Sequence, residues 1–245
     1  MEHHLPCDPA QIARYVFCPG DQNRAKKIAS HFSDCQLILE NRGYVVYSGL
    51  HQGTFMTSIG TGMGGPAVAI ALEELAHMGT DTFIRIGSCG VFQDFQKPGD
   101  IIISNGTVRL GGTANAYLPP EYPAVPDFSL TRALVDAAEA KGINPTVGLG
   151  ITSDAFYAPD DPKARSLWTS IGLVYIEMET DTLFTVGTYR RWRTAALFTS
   201  DGTANEIKPV WGEEAYHRGE DMSIQIALDA MLHIALGDQN LSVKG

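Results

Sequence analysis

The sequence predicts an α/β fold, a single domain (residues 1–245) in three layers, with a central mixed, twisted sheet flanked by helices. Three observations carry this. Short β-rich runs alternate with helical patterns along the 245 residues. The strands are apolar, which implies a sheet covered on both faces. No Pro/Gly/Ser-rich linker or break in composition divides the chain, and its length suits one α/β domain better than two.

Taken in order, the first strand, residues 15–18, ends in a Pro19-Gly20 turn, and Arg24 lies one turn into the helix expected over 23–32. Strands at 44–47 and 54–59 follow, and the second runs into Gly60-Thr61-Gly62-Met63-Gly64-Gly65-Pro66. That segment opens the helix with the fullest set of signals, 66–78: proline in its first turn, an Ala/Val/Ile/Leu face, and Gly79 as a stop. The strand at 82–86 contains Arg85 and leads into a glycine-flanked turn, Gly87-Ser88-Cys89-Gly90. After a strand at 100–104, residues 109–127 carry Gly111-Gly112, Pro119-Pro120, Pro123 and Pro126; a loop this long in a compact domain reads as a functional or interface excursion. Helices at 129–141, 162–170, 179–189 and 219–236 alternate with strands at 147–151, 173–176 and 195–199, and the polar residues after Gly237 are expected to fray. No internal repeat is present. Ligands in such sheets collect at the carboxyl ends of strands, so the turns after Cys18, Ile59, Ile86, Ile176 and Thr199 should gather at one rim.

Lys plus Arg number 18 against 28 Asp plus Glu, a net charge of −10, which argues against nucleic acid or an anionic membrane as the main partner. An anionic substrate must then be held by a local cluster of arginines, for which Arg24, Arg42 and Arg85 are the candidates. The four cysteines form no CxxC pair and no metal-like spacing with the seven histidines. The N-terminal residues lack the blocks of a signal peptide and no apolar stretch approaches membrane-spanning length, so a cytoplasmic protein is expected.

Arg85 is the most informative residue. A guanidinium costs too much to bury without an anion beside it. It either pairs with a carboxylate, reaches solvent at the strand end, or serves an anion site. Gly20 and Arg24 repeat the pattern of a glycine turn followed by an arginine, and backbone N–H groups with a fork-shaped guanidinium are what a phosphate needs. Gly60, Gly62 and Gly65 match a dinucleotide fingerprint by spacing, but the next strand ends without the ribose-binding acid, which argues against a nicotinamide cofactor; close packing of helix on strand accounts for most of these glycines.

Together these residues resemble the nucleoside phosphorylase family, which includes the bacterial-type purine nucleoside phosphorylases, uridine phosphorylases and archaeal methylthioadenosine phosphorylases. The resemblance covers nearly the whole chain. It runs from His4 through Pro19-Gly20-Asp21 and Arg24, Glu40-Asn41-Arg42-Gly43, the 60–66 glycine segment, Glu73-Glu74-Leu75, Arg85-Ile86-Gly87-Ser88-Cys89-Gly90, Ser153-Asp154-Ala155-Phe156-Tyr157 and Glu177-Met178-Glu179 to Ser200-Asp201-Gly202. It implies a phosphorylase-like fold and phosphate attack on the anomeric carbon of a nucleoside, giving free base and ribose 1-phosphate.

By this resemblance Gly20, Arg24, Arg85 and Ser88 hold phosphate, with Arg42 supplied by a neighbouring subunit. Glu179 binds the ribose hydroxyls while Met178 packs against the sugar, and His4 reaches the 5′ position across a dimer interface. Glycosidic cleavage builds positive charge on the sugar, so phosphate and the Glu179 carboxylate help most in the transition state. Glu177 and Glu179 otherwise read as two acids favoured at a helix start. Phe156 stacks on the base or packs in the core, Ile176 and the Cys89-Gly90 backbone line the same pocket, and Cys89 lacks a paired base for a nucleophilic role. Inorganic phosphate is a co-substrate and no metal or organic cofactor is implied. At least a dimer is expected, with a trimer of dimers, a hexamer, as the fuller assembly.

Asp201, after an apolar strand, could donate a proton to N7 of a purine if desolvation raises its pKa, and the catalytic set is then Asp201, Arg85 and Glu179. Uridine-cleaving members carry a longer insert after the Phe-Tyr pair with a glutamine and an arginine; residues 156–163 are short and lack both, so the expectation is a purine nucleoside phosphorylase acting in purine salvage. Uridine phosphorylase is the alternative, with Arg165 available for the arginine's part. An arginine assisting Asp201 has Arg218 as its candidate. A hydrolytic nucleosidase, or a non-catalytic nucleoside-binding protein on the same scaffold, would not need the arginine clamp.

Overall fold

A computed structural model of the chain describes residues 2–159, 161–204 and 206–242. Asp160, in the short segment after Phe156-Tyr157, Asn205, in the segment after Asp201, and the last three residues of the expected frayed end lie outside them.

Among the described residues, nine strands and six helices follow in the order β1 (Tyr15–Phe17), α1 (Gln22–Ala29), β2 (Ser33–Asn41), β3 (Tyr44–His51), β4 (Thr54–Gly60), α2 (Gly65–His77), β5 (Thr82–Val91), β6 (Ile101–Arg109), α3 (Phe128–Ala140), β7 (Thr146–Thr152), α4 (Pro162–Ser170), β8 (Tyr175–Glu177), α5 (Thr180–Arg190), β9 (Arg193–Ser200) and α6 (Glu213–Ser242). All nine strands form one mixed sheet in the order β2-β3-β4-β1-β5-β8-β7-β6-β9, and β9 pairs back onto β5. Strands β5, β8, β7, β6 and β9 therefore close into a ring. β5 makes this possible: β9 runs parallel along one edge from Thr82 to Cys89, while the other edge holds β1 at Thr82–Ile84 and β8 at Gly90–Val91.

Alternation along the strands divides the core in two. Phe83 packs on one side with Val68, Leu72 and Leu75 of α2 and Leu183 and Phe184 of α5. Ile84 and Ile86 pack on the other with Ile28 of α1, Leu130 and Leu134 of α3, and Ile224 and Met231 of α6. Arg85 has the parity of Phe83, which turns it towards the side where α5 begins. Pro66 sits in the first turn of α2 and Gly79, at φ +104°, follows its end, as the sequence signals required.

Three expectations are corrected. The segment Gly87–Gly90 is strand rather than turn, because β9 keeps pairing through Cys89 and β8 takes over at Gly90. Its first glycine serves close packing: a Cβ on Gly87 would lie 2.9 Å from the Phe198 ring. β2 was not read as a strand; it is paired only to β3, and Ser33–Leu37 are exposed without an apolar face. The chain beyond Gly237 continues α6 to Ser242, where Asp238 accepts hydrogen bonds from Tyr15 Oη at 3.0 Å and Arg193 Nη1 at 3.0 Å. Residues 109–127 are tied down by the Arg109 guanidinium, which donates to the carbonyls of Pro119 and Tyr122 at 2.7 Å. No helix among the described residues is long and apolar enough to cross a membrane.

Asp181 anchors the start of α5. It is fully buried, accepts from Gly111 N at 3.1 Å and Thr182 Oγ1 at 3.1 Å, and burial pushes its carboxyl up to about 6 from an ordinary 3.8. Between those pH values the native state keeps a proton that the unfolded chain has released, so this group lowers stability as pH rises towards 6 and above. Asp181→Asn should therefore stabilise the fold by about 2 kcal/mol at pH 7.5, with the gain shrinking towards pH 4, as measured by urea unfolding at both pH values.

Candidate functional site

The carboxyl ends of β1, β4, β5, β8 and β9 meet at one rim, as expected, and enclose a cavity of about 840 Å3. Gly20, Arg24, Arg85, Ser88, Cys89, Gly90, Phe156, Ile176, Glu177, Met178, Glu179 and Asp201 all line it. Residues from five separated stretches of sequence thus share one space.

Arg85 is the centre of the site. Its side chain, buried within β5, donates from Nε to Glu177 Oε2 at 3.0 Å and from Nη2 to Glu179 Oε2. Nη1 is buried with no hydrogen-bond partner among the described residues, and it lies 3.8 Å from where a Cβ on Gly20 would stand. The arginine is thus both paired with carboxylates and left with one donor edge aimed past the glycine turn. An anion at that turn would supply the acceptor that Nη1 lacks. Burial would push the guanidinium down, but Glu179 and Glu177 outweigh it and hold its pKa up.

Glu177 is spent on holding the site together. Its oxygens accept from Thr152 Oγ1 at 2.6 Å, Arg85 Nε at 3.0 Å, Glu179 N at 2.9 Å and Thr180 N at 3.0 Å. Two of these are amides at the start of α5, where an acid is favoured by the helix dipole. Glu179 is different: Oε1 accepts from Gly64 N at 2.6 Å, and its carboxylate reaches the cavity. Gly64 can present that amide because it adopts φ +91°, and Gly65 beside it leaves room that a Cβ would take from Thr182 Oγ1 at 2.5 Å. Burial pushes the Glu179 carboxyl up, and Arg85 opposes the shift only in part.

Arg24 joins the cavity from α1. It donates to Glu220 Oε1 at 2.7 Å, Ile86 O at 3.2 Å and Tyr216 Oη at 2.6 Å. Burial pushes Glu220 up, yet Arg24 and Lys27, whose Nζ is 2.9 Å away, hold it below the usual range. Arg24 and Arg85 thus point into one cavity from two elements, each oriented by carboxylates from elsewhere in the chain.

Asp201, Phe156 and Arg165 also line the cavity. Burial raises the Asp201 carboxyl; Lys208 Nζ, 3.7 Å from Oδ2, opposes this. Arg218, the candidate for assisting Asp201, instead pairs with Glu214 on an exposed face of α6 and does not line the cavity. Phe156 is 56% exposed and stacks edge-on with Tyr157 at 5.0 Å, at the cavity wall rather than in the core. Cys89 is buried and burial pushes its thiol well up, which leaves no thiolate for covalent chemistry.

His4 and Arg42 do not line the cavity of their own chain. They lie near each other: Asn41 donates to His4 O at 3.0 Å, and Arg42 occupies the β2–β3 turn at φ +50°. His4 Nδ1 is 2.7 Å from Glu74 Oε1, which also places Glu74 under the backbone amides of His4 and Leu5. Tyr216, Glu220 and Lys208 went unnoticed in the sequence. Tyr216 and Glu220 stand four residues apart on α6 opposite Arg24 and Lys27 on α1, a charge pattern visible only once the two helices are known to face each other.

A sequence profile of the phosphorylase superfamily matches residues 14–228. The uridine phosphorylase of Treponema pallidum (strain Nichols) is 36% identical over 241 residues, covering 94% of this chain and 93% of that protein. The guanosine phosphorylase of Halorubrum lacusprofundi is 36% identical over 199 residues, covering 81% of this chain and 82% of that protein. The crystal structure of uridine phosphorylase from Vibrio fischeri ES114 superposes with a TM-score of 0.90 at 31% identity, covering 95% and 97% of the two chains. The chain belongs to the phosphorylase superfamily, within its nucleoside phosphorylases.

Removing Arg85 should leave two buried carboxylates facing each other without a cation. Arg85→Ala is expected to cost about 3–5 kcal/mol at pH 7.5. Loss of the cation raises the folded pKa of Glu179 further, so the penalty shrinks as pH falls through that raised value. Urea unfolding at pH 7.5 and 5 checks this; a pH-independent penalty would contradict it.

Proposed function

We propose that the chain catalyses phosphate-dependent cleavage of a nucleoside, with uridine as the preferred substrate, releasing the free base and ribose 1-phosphate. The observation that carries it is the buried Arg85, whose unpartnered Nη1 faces the Gly20 turn while its other edge is clamped to Glu179. Phosphate at the turn meets Arg85, Arg24, Ser88 and the Gly20 amide, and Glu179 holds the ribose hydroxyls beside it. As the glycosidic bond lengthens, positive charge develops on the pentose between these two anions, which stabilise it more than they stabilise the neutral nucleoside. The raised pKa of Glu179 means that lowering the pH neutralises one of the two anions.

This reading places uridine ahead of the purine expected from Asp201. It is supported by the uridine phosphorylases among the relatives and by Arg165, which lines the cavity near Phe156 although it comes from α4 rather than from the missing insert. A purine is the second reading. Asp201, half-buried and with a raised pKa, favours it, as does the guanosine phosphorylase among the relatives. Supplying uridine, inosine and guanosine with phosphate and following base release should give the highest kcat/KM with uridine. Arg165→Ala should then lower kcat/KM for uridine by about tenfold or more, and Asp201→Asn should lower it less. A preference for inosine or guanosine abolished by Asp201→Asn would reverse the order of the two readings.

A second copy of the chain supplies Arg42 and His4 to this site, so the working unit is at least a dimer and a trimer of dimers is the proposed assembly. Support comes from the placement of both residues together, outside their own cavity. Arg42→Ala and Glu179→Gln variants should each be inactive alone. Co-expressed in one assembly, they should recover about a quarter of the wild-type rate, since half of the dimers are mixed and each mixed dimer carries one intact site of its two. No recovery would place Arg42 in its own chain's site or outside catalysis.

A further inference from the structure

We propose that the Tyr216 hydroxyl is a phosphate-binding donor, completing the anion site opposite Arg85; the assignment rests on the phosphorolytic reading above. Tyr216 lies near the start of α6 and lines the cavity, with Ser88 beside it. Its oxygen receives a hydrogen bond from Arg24 Nη2 at 2.6 Å. A guanidinium has no acceptor, so the phenol must accept here, and its own proton is directed elsewhere.

Within the chain that proton meets the Ser88 hydroxyl, which itself lines the cavity, and otherwise only one poor acceptor. Glu220 Oε1 is 3.5 Å from Tyr216 Oη, well beyond the usual 2.5–3.0 Å range for O–H···O bonds, and it already takes Arg24 Nε at 2.7 Å. An oxyanion seated between Gly20, Ser88 and Arg85 would find the phenol proton free to turn towards it. Arg24 then plays two parts: it contributes charge, and by donating to the phenol oxygen it polarises the O–H and strengthens it as a donor. Burial keeps the phenol protonated, pushing its pKa above the ordinary value of 10. Glu220 holds Arg24 in place, and Lys27 offsets the carboxylate's negative charge behind the anion site.

Tyr216→Phe keeps the ring and removes only the hydroxyl. A hydrogen bond to a charged oxygen lost from the site should raise the phosphate KM by about tenfold, while the uridine KM changes by less than about twofold. Millimolar inorganic phosphate should raise the melting temperature of the wild-type protein and do so much less for Tyr216→Phe, each measured against its own phosphate-free value. The proposal is overturned if phosphate KM and phosphate-induced stabilisation match the wild type. It is equally overturned if both KM values rise together by the same factor, because the tyrosine is then only a strut for Arg24. Absence of phosphate-dependent cleavage in the wild type would instead defeat the phosphorolytic reading, and the melting shift would still report on Tyr216.

Discussion

The buried triad of Arg85, Glu177 and Glu179 is the constraint around which the rest of the molecule is arranged. Moving a guanidinium and two carboxylates out of water costs several kcal/mol per ion, and this is recovered only when geometry and further hydrogen bonds are good. The fold supplies both. β5 fixes Arg85 through pairing on both edges, and the first amides of α5 fix Glu177. Glu179 is fixed by an amide that only the left-handed Gly64 can present. Every one of these groups is satisfied except one edge of the guanidinium, and that edge faces the cavity. A site of this kind is preorganised: its donors stand in place before a ligand arrives, so little reorganisation is needed during reaction.

The closed ring of strands explains how residues so distant in sequence reach this point. β8 is only three residues long, yet it carries Ile176 and Glu177 to the end of β5 because β7 and β5 hold it from either side. β9 brings Asp201 to the same end, with Asp201 N donating to Cys89 O at 3.1 Å. Sheet closure, more than loop length, therefore sets the distance between Arg85 and Asp201.

Much of this was legible in the sequence, and for identifiable reasons. An arginine inside an apolar strand is a physical anomaly that demands a counter-charge, and Glu177 and Glu179 supply it, while Nη1 keeps no partner among the described residues. The glycine turns, the Glu-Met-Glu segment and Asp201 could be read because each sits where an apolar run stops. What could not be read depends on pairing between distant elements. Gly87–Gly90 looks like a turn until β9 and β8 are placed beside it. β2 lacks an alternating pattern because Ser33–Leu37 bury neither face. Tyr216 and Glu220 look like ordinary surface residues of a helix until α6 is laid against α1. Arg165 likewise lines the cavity from a helix, where no insert announces it.

Closing five strands into a ring also leaves the sheet with one open border among the described residues, since β9 returns to β5 and only β2 has a side without a neighbour. An unpaired border is a template on which other chains can add strands and polymerise. β2 is irregular where this matters: its pairing with β3 shifts register between Ser33 and Gln36 and again between Leu37 and Leu39, and Asp34 takes a left-handed conformation at φ +52°. Such breaks spoil the even spacing of amides and carbonyls that a stacking strand would need. The protection against runaway assembly is thus concentrated on the single strand that requires it.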